Sequence, residues 1–251
     1  GVEQEETFLF AFLLKHGGTS LVNMDDERLA KYTKVLNRLI GYGQNPDARV
    51  HAEIKLSNDI KPSLAINYDN ESIEINLQTD GLASAVNAIA AVAAGVAFDM
   101  TLEEIKLALE GFVSESSHSY ARMTLQNIDN MRVLNDCYNA NPSSMLMALT
   151  TLQLIKTDLP KIAVLGDMRE MGEAAIPEHI EILKFALENS DKVIVLGDSF
   201  SQAAAAVACD AVIVANSHDE IISELKKQNG EFYMLLKGSR GMKMEKVIET
   251  V

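Results

Sequence analysis

Five short apolar runs, at 131–135, 162–166, 193–197, 211–215 and 232–236, alternate with segments of helical periodicity through the second half of this chain. Strands separated by whole helices do not pair as hairpins, so the pattern predicts α/β architecture: a Rossmann-like, doubly wound, mostly parallel sheet with helices on its faces. Such sheets bind ligands in the crevice beyond the carboxyl ends of their strands. The segment after the first run is therefore the most informative. There Asn135-Asp136-Cys137-Tyr138-Asn139-Ala140-Asn141-Pro142-Ser143-Ser144-Met145 sets an acid, an aromatic ring and several amides between a strand and a helix. Pro142 breaks the strand and stands by the first turn of a helix expected over 143–155.

The first half reads as a smaller α/β unit with a hairpin. Thr19 to Asn23 and Arg38 to Tyr42 are expected strands, with a polar helix from Asp25 to Leu36 between them. Val50 to Leu56 and Leu64 to Tyr68 alternate in polarity, and Asp69-Asn70 before Ser72 to Leu77 marks a hairpin turn. A small-residue helix over Gly81 to Ala97 follows, then a second helix opened by Thr101 as N-cap with Glu104 at N3. The serine-rich stretch Ser114 to Ser119 has no periodicity and is the expected hinge, giving domains over 1–121 and 122–251.

Composition excludes several classes of function. Twenty-two basic against 36 acidic residues leave a net charge of −14, which repels a phosphate backbone, so no nucleic-acid partner is expected. Cys137 and Cys209 are too few for a disulfide framework and lack metal-ligand spacing, so no metal site is expected. The alanine-rich run from Ala83 to Ala97 falls short of the roughly 20 apolar residues that span a bilayer. With no basic-apolar leader at its start, the chain reads as cytoplasmic and without a membrane span. His16, His51, His118, His179 and His218 accompany no Ser or Cys nucleophile motif and read as surface or capping residues.

The Asp136 to Met145 segment resembles the Asp-x-Tyr-Asn-Ala-Asn-Pro-x-Ser-Met signature of the Mur ligase family, in its MurF-type branch. Two further segments fit the same family. Ile162-Ala163-Val164-Leu165-Gly166-Asp167-Met168-Arg169-Glu170-Met171-Gly172 resembles its second carboxyl-terminal strand and loop, and Leu236-Lys237-Gly238-Ser239-Arg240-Gly241 its last strand and turn. The resemblance implies an ATP-dependent, ADP-forming ligase that adds D-alanyl-D-alanine to UDP-N-acetylmuramoyl-tripeptide through an acyl phosphate, with ATP and Mg²⁺ used by the complete enzyme.

By the same resemblance Asp136 contacts ribose hydroxyls, Tyr138 packs on adenine, and Asn139 and Asn141 bond nearby. The competing readings are an N-cap or turn aspartate for Asp136 and ordinary Asn-x-Asn-Pro turn chemistry for the others. Asn23, in Asn23-Met24-Asp25-Asp26, is either an adenine contact or a capping asparagine. Lys237 and Arg122 are the expected catalytic cations. Ser239 and Arg240 are expected to bind substrate, a solvated basic turn being the alternative. Asp167, Arg169 and Glu170 either line the cleft or form a solvated loop with an internal ion pair.

Departures from the family also stand out. Ala121 replaces the glycine of its interdomain Gly-Arg pair, and Gly81-Leu82-Ala83-Ser84-Ala85-Val86-Asn87 keeps only the glycine and asparagine of a family motif. No Gly-Lys-Thr or Gly-Lys-Ser phosphate loop occurs, and His16-Gly17-Gly18-Thr19-Ser20 reads as a turn. Glu6, where the family has a metal-supporting lysine, is not read as a ligand. The expectation is an incomplete ligase that is inactive alone, or alternatively a noncatalytic module that binds nucleotide or dipeptide.

Overall fold

The computed structural model describes residues 7–113, 122–209 and 211–250. The expected hinge at Ser114 to Ser119, His118 and Glu6 lie outside these residues. The chain divides into two compact units: Gly1–Lys55, Lys61–Thr79 and Ser84–Val113 form the first, and Leu56–Ile60, Asp80–Ala83 and Ser114–Val251 the second.

In the first unit five strands pair in sequence order: β1 (Ser20–Asn23), β2 (Leu39–Gly43), β3 (Val50–Leu56), β4 (Pro62–Tyr68) and β5 (Glu71–Asn76). β1 and β2 are parallel, and β4 and β5 form the antiparallel hairpin whose turn residue Asp69 takes φ 51°. Alternate residues Leu64, Ile66 and Ile75 meet Ala85, Ile89 and Val92 of the helix Gly81–Ala97, which gives the unit one apolar core. The helix Leu102–Glu110 begins with both bonds of the expected capping box: Glu104 N–H donates to Thr101 Oγ1 at 3.3 Å, and Thr101 N–H to Glu104 Oε2 at 2.9 Å.

The second unit is the doubly wound sheet. Its strands are β6 (Thr124–Ile128), β7 (Met131–Asp136), β8 (Lys161–Gly166), β9 (Lys192–Leu196), β10 (Val212–Ala215) and β11 (Phe232–Lys237), in the order β10-β9-β8-β11-β7-β6. β6 alone runs antiparallel, and sequence reading did not anticipate it. Its turn is Asp129-Asn130 with Asp129 at φ 48°, the same dipeptide signal that marked the first unit's hairpin. The weakly apolar run Thr124–Ile128 hid the strand.

Because these strands are buried on both sides, each side has its own core. Leu134, Leu165, Val195 and Leu235 pack against the helices Pro142–Leu154, Ala175–Asn189 and Asp198–Val207. Val133, Val164, Ile194 and Met234 pack against the helices His218–Leu225 and Lys246–Glu249. The chain therefore leaves β7 and β8 toward one face and β11, which lies between them, toward the other. Opposite exits from neighbouring strands open a crevice at their carboxyl ends. No helix among the described residues is long and apolar enough to cross a membrane.

Candidate functional site

β11 pairs with β7 so that Lys237 lies beside Asp136, two polar residues at the carboxyl ends of adjacent parallel strands. The Lys237 ammonium is 1% exposed and lies 2.5 Å from Asp136 Oδ2, and it also donates to the Asn139 carbonyl at 2.9 Å. Asp136 Oδ1 accepts the Met123 N–H at 3.1 Å. A charge buried this deeply is stable only when paired and hydrogen-bonded, so Lys237 holds the acid and the following loop in one place. Its side chain thus acts on Asp136 and Asn139 rather than in open solvent.

The loop itself is shaped by its amides. Asn141 is the N-cap of the helix Pro142–Leu154, accepting Ser144 N–H at 2.9 Å, while Ser144 Oγ accepts Asn141 N–H at 3.1 Å. Asn139 Oδ1 accepts the neighbouring Ala140 N–H at 2.8 Å. Tyr138 remains 42% exposed, with the Arg122 guanidinium 4.2 Å from its ring centre in cation–π contact. Cys137 points the opposite way, into the core, where its thiol approaches the Leu236 carbonyl at 3.5 Å.

Burial, reinforced by the negative charges of Glu245 and Asp136, pushes the Cys137 thiol pKa well above its ordinary range. A thiol-specific disulfide reagent at mild alkaline pH is therefore expected to label exposed Cys209 quickly and Cys137 only on unfolding. Two equally fast equivalents in the native protein would contradict that burial.

Ser239 gathers the loops. Its hydroxyl accepts the Arg169 N–H at 2.8 Å and approaches the Ala140 carbonyl at 3.5 Å, and its own N–H donates to the Asp167 carbonyl at 3.1 Å. The segments following β7, β8 and β11 are thereby tied at one buried hydroxyl. Between them opens a cavity of about 840 Å³ lined by Tyr138 and residues 139–141, 169–171 and 239–241. Arg240 borders it and pairs with Glu245 at 2.9 Å.

Asp167 does not line this cavity. Its carboxylate accepts Ser199 N–H at 3.0 Å and Phe200 N–H at 2.9 Å, satisfying the start of the helix Asp198–Val207. The approach is so close that a Cβ on Gly197, itself at φ 123°, would fall 2.3 Å from the Asp167 carboxyl carbon. His179, fully buried, accepts the Met168 N–H at 2.9 Å through Nε2 and lies 2.6 Å from the Ala175 carbonyl through Nδ1. It is a core anchor for the β8 loop rather than a surface residue.

Asn23 belongs to the first unit, where its Oδ1 accepts Asp25 N–H at 2.9 Å. Asp25 in turn accepts Gln44 and Asn45 N–H, so the Asn23-Met24-Asp25 turn is tied to the segment that follows β2. Arg169 and Gly241 of the cavity wall, and Glu245, the partner of Arg240, are residues to which the sequence assigns no definite role. Their partners lie across loops, where residue spacing carries no signal. Among the described residues no group of three or more His, Cys, Asp or Glu side chains is placed to hold a metal ion.

Residues 121–240 match the family described as Mur ligase, glutamate ligase domain. A UDP-N-acetylmuramoyl-tripeptide--D-alanyl-D-alanine ligase of Haemophilus influenzae is 30% identical over 99% of this chain and 54% of its own length. These matches place residues 121–240 in the Mur ligase family. The ligase of the same description from Mycobacterium tuberculosis strain H37Rv is 29% identical over 72% of this chain and 37% of its own. Among solved structures, MurF from Acinetobacter baumannii aligns with TM-score 0.78 and 24% identity, covering 93% of this chain and 52% of that one. MurF ligase from Thermotoga maritima in complex with ADP aligns with TM-score 0.76 and 17% identity, over 92% of this chain and 52% of that one. At these identities the two structures speak for the fold. The chain spans about half the length of the Haemophilus relative, whose matched share is 54%.

Proposed function

We propose that this chain carries the nucleotide and acceptor sites of an ATP-dependent ligase that joins D-alanyl-D-alanine to UDP-N-acetylmuramoyl-tripeptide. The observation that carries the reading is the crevice over β7, β11 and β8, where the buried Lys237–Asp136 pair fixes the Tyr138 loop beside the 840 Å³ cavity. The names of the relatives supply the substrates, and the ADP in the Thermotoga maritima MurF structure supports a nucleotide.

In this reading the tripeptide carboxylate takes the γ-phosphoryl group of ATP, leaving ADP and an acyl phosphate. The dipeptide amine attacks the acyl carbon, giving up a proton as the C–N bond forms, and the C–O bond to phosphate then breaks. Little covalent work falls to the protein; its part is placement and electrostatics. Asp136 accepts from the ribose hydroxyls, Tyr138 packs on adenine, and Asn139 and Asn141 border the base. Arg122 supplies positive charge for the phosphates, and Arg240, its charge shared with Glu245, borders the cavity that takes the acceptor. Lys237 and Ser239 act through the groups they hold, keeping Asp136 and the three loops in register.

Two measurements on this chain test the proposal: ADP affinity, and ADP release from ATP with Mg²⁺, tripeptide and dipeptide omitted in turn. ADP is expected to bind, with Asp136→Asn weakening it about tenfold through the lost charge-assisted bond. Release that requires the dipeptide supports the ligase reaction. Binding without any release reduces the reading to a noncatalytic module, and absence of ADP binding overturns it.

A further inference from the structure

The geometry points to Arg169 as the residue that receives the carboxylate of the amine-bearing substrate. This inference rests on the ligase reading of the same cavity. Of the two guanidinium groups bordering the cavity, that of Arg240 is paired with Glu245. Arg169 is exposed and forms no ion pair with a carboxylate among the described residues. Its side chain nevertheless has a defined seat. A Cβ on Gly241 would fall 2.3 Å from Arg169 Nη1 and 2.7 Å from Cζ, so the guanidinium occupies space that only a glycine leaves open. Nη2 reaches Met242 Sδ at 3.8 Å, and the Arg169 N–H is held by Ser239 Oγ at 2.8 Å. A planar cation held at its main chain, seated beside Gly241 and Met242 and forming no ion pair with an acid, is placed for bidentate carboxylate binding.

A further feature favours a carboxylate over a nucleotide phosphate. Glu170, held in the left-handed region at φ 64°, lines the same cavity. A wall carrying both signs of charge suits a zwitterionic dipeptide, whereas the carboxylate repels a polyphosphate.

The test is an NMR titration of the ¹⁵N-labelled chain with D-alanyl-D-alanine, and in parallel with its carboxamide, following the Arg169 Nε–Hε peak and the amides of residues 139–141. The dipeptide is expected to move the Arg169 peak and the carboxamide to leave it in place. Arg169→Ala should raise the dipeptide Kd about tenfold or more without altering ADP affinity. Gly241→Ala should also raise it, since a methyl there pushes a flexible guanidinium from its seat without disturbing the backbone. An unchanged Kd in Arg169→Ala, with residues 139–141 still responding, overturns this inference and leaves the ligase reading intact. A dipeptide that perturbs no cavity residue overturns both. Tighter binding of inorganic phosphate than of dipeptide at the Arg169 peak also overturns it, reassigning the cation to a phosphate.

Discussion

Lys237→Met is expected to destabilise the second unit by about 3–5 kcal/mol, because it strands the Asp136 carboxylate, 15% exposed, without its counter-charge. The loss includes the bond to the Asn139 carbonyl, so the Tyr138 loop should loosen and ADP affinity fall with it. Urea unfolding read by labelling of Cys137 isolates this effect, since that thiol is buried within the second unit. The double substitution Asp136→Leu/Lys237→Met removes both charges and is expected to regain most of the stability while binding no nucleotide. A single Lys237→Met variant as stable as the parent would show that the pair does not hold the site.

Phe200→Ala should cost a similar 3–5 kcal/mol, the usual price of emptying a large aromatic site in a close-packed core. Phe200 is fully buried, and its ring meets that of His179 edge-on at 4.5 Å and 77°. His179 accepts the Met168 N–H, so a cavity at Phe200 loosens the support beneath the Arg169 loop. Amide shifts over residues 168–171 should accompany the loss of stability. A loss under about 1 kcal/mol with those amides unmoved would show that the core closes over the gap without transmitting it.

Much of the architecture was legible because single segments carry it. The 131–135 and 232–236 runs are strands β7 and β11, and Thr101 with Glu104 forms the expected capping box. Pro142, expected near the first turn of a helix, is the first residue of the helix Pro142–Leu154, and Asn141 before it proves to be the cap. The β6 hairpin was missed although Asp129-Asn130 repeats the Asp69-Asn70 signal, because its flanking strand is weakly apolar. What no local pattern shows is which strand ends become neighbours. Asp136 and Lys237 are 101 residues apart and meet only because β11 enters between β8 and β7. Asp167 satisfies a helix start 32 and 33 residues further on, and Arg169 needs a glycine on another loop. These are long-range packing facts, and residue type alone suggested equally good local roles for each.

The central position of β11 also orders events in time. β7 and β8 share no hydrogen bonds; each pairs with β11, the last strand in sequence order. Until β11 is synthesised, the facing edges of β7 and β8 stay open and adhesive, and the ion pair at the crevice has no lysine. Insertion of β11 closes the largest loop in the sheet, so it is the natural slow step of folding. The molecule thus acquires its binding crevice in the same event that ends its exposure to misassembly.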